Sequence, residues 1–216
     1  MIRSVLGAVI LAFDPLQPSM IAALLRLDLE DVSPILLSLH SLLLLHGRGW
    51  PVQPFHKSFP DFIVDPNRCT NWKFHISPPN HHSELVIGCL KLMNFNLCTG
   101  LLGDLDAINS DPHYFRKLLW RDDGSLKYAC QSWHKHLANA SKAPDQMPKV
   151  TSILHEFLEE TFLSWLEALS ILGKTRDTVE VLEEVSRWLE VCQFYLFNKS
   201  PLSLLIQSRH HQPLGR

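Results

Sequence analysis

The sequence predicts a mostly α-helical protein with one small β-hairpin in its N-terminal third. Apolar residues recur three and four positions apart through most of the chain, which is the spacing of one face of an α-helix. Serine, aspartate, proline and glycine interrupt these stretches where helices are expected to begin and end. Residues 41–56 depart from this pattern, because an apolar run, a glycine-containing turn and an extended stretch follow one another there.

The first helix is expected over residues 1–13, ended by Asp14-Pro15. Arg3 followed by an apolar run also resembles a secretion signal. However, no small-x-small cleavage site precedes the aspartate, and the run is too short to span a bilayer. We therefore predict a buried amphipathic helix and a cytoplasmic protein with no membrane partner. A secreted helical protein remains the alternative.

Two more helices are predicted before the hairpin. Ser19 is the expected N-cap of the second helix, MIAALLRL, and residues 28–31 are expected to form a polar break. The third helix reads VSPILLSLHSLLLL, with Ser33 as its N-cap and Pro34 in the first helical position.

The hairpin is predicted from two short stretches, SLLLLH and VQPFH, on either side of the turn HGRGWP. A short helix then follows, with Ser58 as N-cap and Asp61 completing a capping box. Three helices, a hairpin and a helix are the order of a winged-helix domain. We assign residues 1–68 to a winged-helix-like subdomain.

Residues 69–216 are assigned to a helical linker or bundle domain. Helices are predicted to open at Ser77-Pro78, Ser125, Lys149 and Arg176, and the third of these is expected to run to Leu172 and end at Gly173. Trp133 and Trp165 lie on the apolar faces and are predicted core residues. Residues 99–124 are expected to be irregular, residues 198–203 to break the last helix, and residues 204–216 to form a frayed tail.

Composition limits the possible functions. The 216 residues contain 20 Lys and Arg against 22 Asp and Glu, a formal charge of −2, whereas nucleic-acid binders usually carry a basic excess. The five cysteines are an odd number and include no CxxC pair, which is typical of reduced, buried thiols. The neighbouring histidines His81-His82 and His134-Lys135-His136 are not assigned as metal ligands, so no metal is expected.

One motif resembles a catalytic site but lacks essential residues. Gly173-Lys174-Thr175 matches the end of a P-loop, but Ala168 stands where the first glycine is required and a helix precedes it instead of a strand. The chain is therefore expected to have no catalytic residues and not to be an enzyme. The third helix has no Lys, Arg, Asn or Gln with which to contact DNA, so its expected partner is a protein.

The stretch PFHKSFPDFIVDP resembles the winged-helix segment of NACHT-type STAND NTPases, the NLR-like signalling proteins. That family has the pattern Phe-x-His-x-Ser/Thr-Phe-x-Glu/Asp-Phe, and the matches here are His56, Ser58, Phe59, Asp61 and Phe62. Phenylalanine stands directly before the histidine, as in the fungal branch. Further segments look like the fungal proteins of this family: LGAVILAFDPL, LLRLDLEDVSPILLSLHSLLLL, HHSELVIGCLKLMNFNL, LKYACQSWHKHL and FLEETFLSWLEALSILGK.

The resemblance implies a role for His56, since the winged-helix histidine of that family approaches the β-phosphate of bound ADP and helps hold the closed state. The P-loop is missing from these residues, so the chain resembles the part that follows the NTPase core, as a truncated paralogue or a fragment of a longer protein. It implies no cofactor for the chain alone, and ADP or ATP only through that missing domain. The alternative is that His56 forms hydrogen bonds only within its own domain.

The expected function is a non-catalytic regulatory and interaction module of a STAND-type signalling switch. The expected partner is the NTPase core or another signalling protein. The alternative is a stand-alone helical adaptor or scaffold with no nucleotide role. The resemblance further implies that Phe59 and Phe62 point inward, that Phe55 closes the same core, and that the His56 ring faces outward. The oligomeric state and the activating ligand are not predicted.

Overall fold

In the computed structural model the protein is mostly helical, as predicted. The structure describes residues 1–45, 47, 49–97 and 123–199, and for residues 177 and 193–199 it describes the backbone alone. The helices are α1 (Ile2–Leu11), α2 (Pro18–Leu25), α3 (Leu29–Ser38), α4 (Ser58–Ile63), α5 (Pro78–Leu97), α6 (Ser125–Asn139), α7 (Met147–Glu156), α8 (Phe162–Ile171) and α9 (Thr178–Lys199). The predictions for 99–122 and for the chain after 199 lie outside the described residues.

The predicted hairpin is confirmed. Strands β1 (Leu43–Leu44) and β2 (Gln53–Pro54) pair antiparallel, with Leu43 opposite Pro54. The Val52 amide donates to the Leu16 carbonyl over 2.8 Å, which ties the hairpin to the connection between α1 and α2. The prediction that the third helix continues to Leu45 is wrong, because α3 ends at Ser38.

Two predicted caps are wrong because each helix begins earlier. Helix α3 begins after Asp28, whose backbone is extended, and acidic side chains occupy its first turn, where the helix dipole favours them. Ser33 and Pro34 therefore lie inside the helix, and residues 28–31 open it instead of breaking it. Helix α2 begins at Pro18, so Ser19 is a helical residue and not the cap.

Helix α5 is the centre of the fold, since α1, α2, α6 and α7 all pack against it. Gly88 allows the closest of these approaches, because a Cβ atom there would overlap the Leu24 carbonyl of α2. Val5 and Ile21 pack in the same buried cluster as Leu85 and Trp133. Buried residues from both sides of residue 68 thus share one core, and the division there stays a prediction.

The long helix predicted from Lys149 to Leu172 contains one turn that the sequence did not predict. Residues Phe157–Thr161 form a π-helical turn between α7 and α8. Gly173 ends the helix with a φ of 68°, as predicted. The expected cap Ser125 is instead the first residue of α6, and the Asp123 carboxylate accepts hydrogen bonds from its amide and hydroxyl.

Trp133 and Trp165 are core residues, as predicted. Their rings meet edge to face at 5.6 Å between centroids, and Phe157 contacts both. The Trp165 indole donates to the Cys130 carbonyl over 2.9 Å. Among the described helices, none has the length and apolar content needed to cross a membrane.

Candidate functional site

His56 lies at the junction between β2 and α4, with its side chain exposed to solvent. Its Nδ1 atom is 3.2 Å from the Ser58 amide nitrogen and 2.8 Å from the Ser58 hydroxyl. An amide N–H can only donate, so Nδ1 accepts and the ring proton is on Nε2. Among the described residues only Ser58 forms a hydrogen bond with this ring, so Nε2 is available as a donor at the surface.

This arrangement corrects the predicted capping box. Lys57 occupies the N-cap position of α4 with a helical backbone, so Ser58 is already the first helical residue. The Ser58 hydroxyl bonds the histidine ring instead of the helix backbone. Asp61 completes no box, because α4 has no side-chain cap. Ser58, which the sequence placed in a helix cap, therefore fixes the orientation and tautomer of His56.

The phenylalanines around His56 differ in burial. Phe59 is half-buried and packs on both apolar clusters of the protein, as expected. Phe55 is exposed, which corrects the expectation that it closes the core. Its amide pairs with the Leu42 carbonyl and extends the hairpin, and this leaves the ring on the solvent face. Phe62 is 41% exposed, which corrects the expectation that it points inward, and the Arg68 guanidinium lies 5.7 Å from its ring centroid.

Phe62 borders an apolar groove of about 290 Å³, called here the aromatic groove. Its floor and walls include Leu6, Leu42, Phe62, Ile63, Cys69 and Phe74. Leu6, Ile63 and Cys69 belong to a small buried cluster, whereas Phe62 and Phe74 are exposed. Sequence analysis missed this groove, because α1, the turn after α3, α4 and the chain after α4 form it together.

A second cavity, of about 430 Å³, is polar and lies between α6, α8 and α9. His134 and Glu184 meet there, with 2.7 Å between Nδ1 and a carboxylate oxygen. Lys174 lines the same cavity, but its amide donates to the Leu169 carbonyl at the end of α8. Because this hydrogen bond ends the helix, the Lys174 amide is not free to bind a phosphate, as the amides of a phosphate-binding loop must be.

The structure brings together, in the interior, one histidine from each of the two histidine-containing stretches, His81-His82 and His134-Lys135-His136. His82 of α5 and His136 of α6 are buried, and their Nδ1 atoms are 2.8 Å apart. Tyr128 Oη is 2.9 Å from His136 Nε2 and accepts from the Phe13 amide over 3.2 Å. Both ring nitrogens of His136 are therefore held within the fold, Nε2 by Tyr128 and Nδ1 by His82.

Burial determines the charge of this histidine pair. It lowers the pKa of His136 from its ordinary 6.5 to about 3, and repulsion between a charged His136 and the neighbouring basic side chains of His82, His134 and Lys135 acts in the same direction. Burial also lowers the pKa of His82, and His81 acts in the same direction. Both rings are therefore neutral at pH 7. Within the described ranges, no group of three or more His, Cys, Asp or Glu side chains is arranged to hold a metal ion.

The described cysteines, Cys69, Cys89, Cys130 and Cys192, are buried and free. Burial raises the pKa of the Cys130 thiol to about 12 and that of Cys89 in the same direction. The Cys89 and Cys130 thiols therefore stay protonated and behave as small apolar side chains.

Comparison with known proteins gives no match. No family model matches the chain. No curated protein and no solved structure matches it either.

Proposed function

We propose that this chain is a non-catalytic regulatory module of a NACHT-type STAND switch, with residues 1–68 in a winged-helix arrangement. The geometry of His56 carries the proposal. Its ring is exposed, its Nδ1 is held by Ser58, and its Nε2–H is free to donate. A nucleotide phosphate presented by an NTPase core would be a suitable acceptor, because hydrogen bonds to a charged oxygen are the stronger kind.

The chain alone is not expected to bind ADP or to hydrolyse ATP. One charge-assisted hydrogen bond contributes about 1.5–3 kcal/mol, which is less than the cost of immobilising a ligand. Lys174 ends a helix and has no phosphate-binding loop around it. Steady ATP turnover by the purified chain, abolished by Lys174→Ala, would overturn this part of the proposal.

The proposal is tested on a complex of the chain with a fungal NACHT NTPase core loaded with fluorescent ADP. His56→Ala should speed ADP release about tenfold or more, because one hydrogen bond to the charged phosphate is lost. Ser58→Ala should give a smaller acceleration, since the ring remains but one of its two positioning contacts is removed. His155→Ala is the matched control, because His155 is also exposed and pairs with Glu159 one turn away.

Unchanged ADP release in His56→Ala, or failure of the wild-type complex to form, would contradict the proposal. The second outcome would favour the other candidate function, a stand-alone helical adaptor. The shared apolar core supports that candidate, because residues 1–68 pack directly on the helices that follow them. The aromatic groove would then be its main contact surface.

A further inference from the structure

We infer that the aromatic groove is a docking site for an acidic amphipathic helix of a partner protein. This goes beyond the proposed function, because His56 does not line the groove and no nucleotide is involved. The groove has a buried apolar floor and exposed aromatic walls, a combination that in soluble proteins marks interaction surfaces.

The groove has the shape and lining to receive a large apolar side chain. Phe62, Phe74 and Leu42 expose between 38% and 45% of their surfaces around its mouth, while Leu6 and Ile63 are buried beneath them. Aromatic side chains in such a position bury large areas at little conformational cost when a partner covers them.

Charge selects an acidic partner. Among the described residues, one cation lines the groove and two lie next to lining residues in the chain. Arg68 lines it, Arg3 lies one helical turn before Leu6 and bonds the Trp72 carbonyl, and Lys73 directly precedes Phe74 and lies over the Trp72 ring. None of the three forms an ion pair with a described residue. Asp65, the carboxylate closest in sequence to Arg68, instead accepts from the Asn67 amide. Partner carboxylates would therefore find unpaired cations beside an apolar groove.

Backbone geometry selects a helix. No residue of β1 or β2 lines the groove, so an extended peptide lying there would find no strand edge to pair with. A helix satisfies its own backbone hydrogen bonds and can place apolar side chains from one face into the groove.

The test measures fluorescence anisotropy of labelled synthetic peptides with the full chain. The probe is an acidic helix of about 15 residues, with Leu and Phe at helical spacing on one face and Glu on the other. One comparison peptide replaces every Glu with Lys, and another scrambles the acidic sequence so that no apolar face remains. The acidic helix should bind at least tenfold more tightly than either, and more weakly as NaCl rises from about 50 to 300 mM.

Variants locate the site. Arg68→Glu and Phe74→Ala should each weaken binding of the acidic peptide at least tenfold. Arg187→Glu, an exposed arginine of α9, and Phe95→Ala, an exposed phenylalanine of α5, are the controls and should leave binding unchanged. Equal binding of the Lys peptide, or binding unaffected by both groove variants, would overturn the inference.

A vesicle measurement separates a protein partner from a membrane. Exposed aromatic and basic residues also occur on proteins that bind anionic lipid surfaces. The concave groove favours an inserted side chain, so phosphatidylserine–phosphatidylcholine vesicles should not sediment the chain. Sedimentation that Arg68→Glu abolishes would assign the surface to a membrane and refute the docking site. Neither result depends on nucleotide, so failure here leaves the His56 proposal to its own experiment.

Discussion

The hairpin region, residues 43–76, and the helical region formed by α5–α9 place the same residue types in opposite environments. In the hairpin region Phe55 and Trp72 are 68% and 72% exposed. In the helical region Trp133, Phe157 and Trp165 are fully buried in one cluster. These three aromatic residues close a core in the second region, although Phe95 of α5 is exposed, whereas most aromatic residues of the first region lie on the surface.

Two histidines, His56 and His136, show the same contrast. His56 is exposed and bonds a residue two positions away, whereas His136 is buried and bonds His82, which is 54 positions away. A local contact at the surface fixes one ring nitrogen and leaves the other for a partner. A long-range buried contact commits both nitrogens of His136 to the fold, because Tyr128 occupies the second. Substitutions should therefore affect binding in the first region and stability in the second.

The largest expected effect is at Trp165. Trp165→Ala should lower the free energy of unfolding by about 3–5 kcal/mol, because a fully buried indole is replaced by a cavity and its hydrogen bond to Cys130 is lost. Urea denaturation followed by circular dichroism measures it. A loss below about 0.5 kcal/mol, the size of a surface effect, would remove the contrast between the regions.

The next effect is a dependence of stability on pH. The pKa of His136 is lowered from 6.5 to about 3 in the folded protein, so below pH 6.5 the unfolded chain binds more protons. The contribution of His136 to the free energy of unfolding should be fully present above pH 6.5 and should be lost as the pH falls toward 3. The loss from this histidine should be about 2 kcal/mol between about pH 6.5 and pH 5.

Denaturation curves of matched variants at both pH values check this expectation. His136→Asn should flatten the pH dependence, because it removes the titrating ring. His155→Asn should not, because that ring is exposed on α7 and its partner Glu159 lies one turn away. Equal slopes in the two variants would mean that the buried pair is not the titrating element.

A smaller effect is expected at Gly88, where α5 of the helical region packs against α2. Its missing Cβ lets α5 approach the Leu24 carbonyl of α2. Gly88→Ala should cost about 1–3 kcal/mol by overpacking, partly offset by the better helix propensity of alanine. A melting temperature equal to or above that of the wild type would show that α5 and α2 accommodate the added methyl group without a loss of stability.

The smallest effect is expected at Trp72. Trp72→Ala should change the free energy of unfolding by less than about 0.5 kcal/mol, because the ring is largely exposed and its contact with Lys73 is on the surface. The same urea experiment measures it. A loss comparable to that of Trp165→Ala would mean that the hairpin region uses its aromatic residues as a second core.

Prediction from sequence succeeded where a structure depends on neighbouring residues. The helical class, the hairpin, the turn at Gly173 and the buried faces of Trp133 and Trp165 follow from local spacing and chain-breaking residues. Helix starts were less predictable, because Asp28 and Ser33 are both good N-caps and only packing chooses between them. The π-helical turn after α7 also has no local signal.

The sequence by itself determined that the chain is helical, which side chains are apolar enough to form a core, and that His56 stands between a strand and a helix. Only the tertiary structure decided which histidines meet, because His82 and His136 come together through the packing of α5 on α6. It also decided that Phe62 and Phe74 border one groove although they belong to different segments. The physical reason is that spacing fixes the face of a helix on which a residue lies, whereas the neighbour of that face depends on how all the helices share a single core.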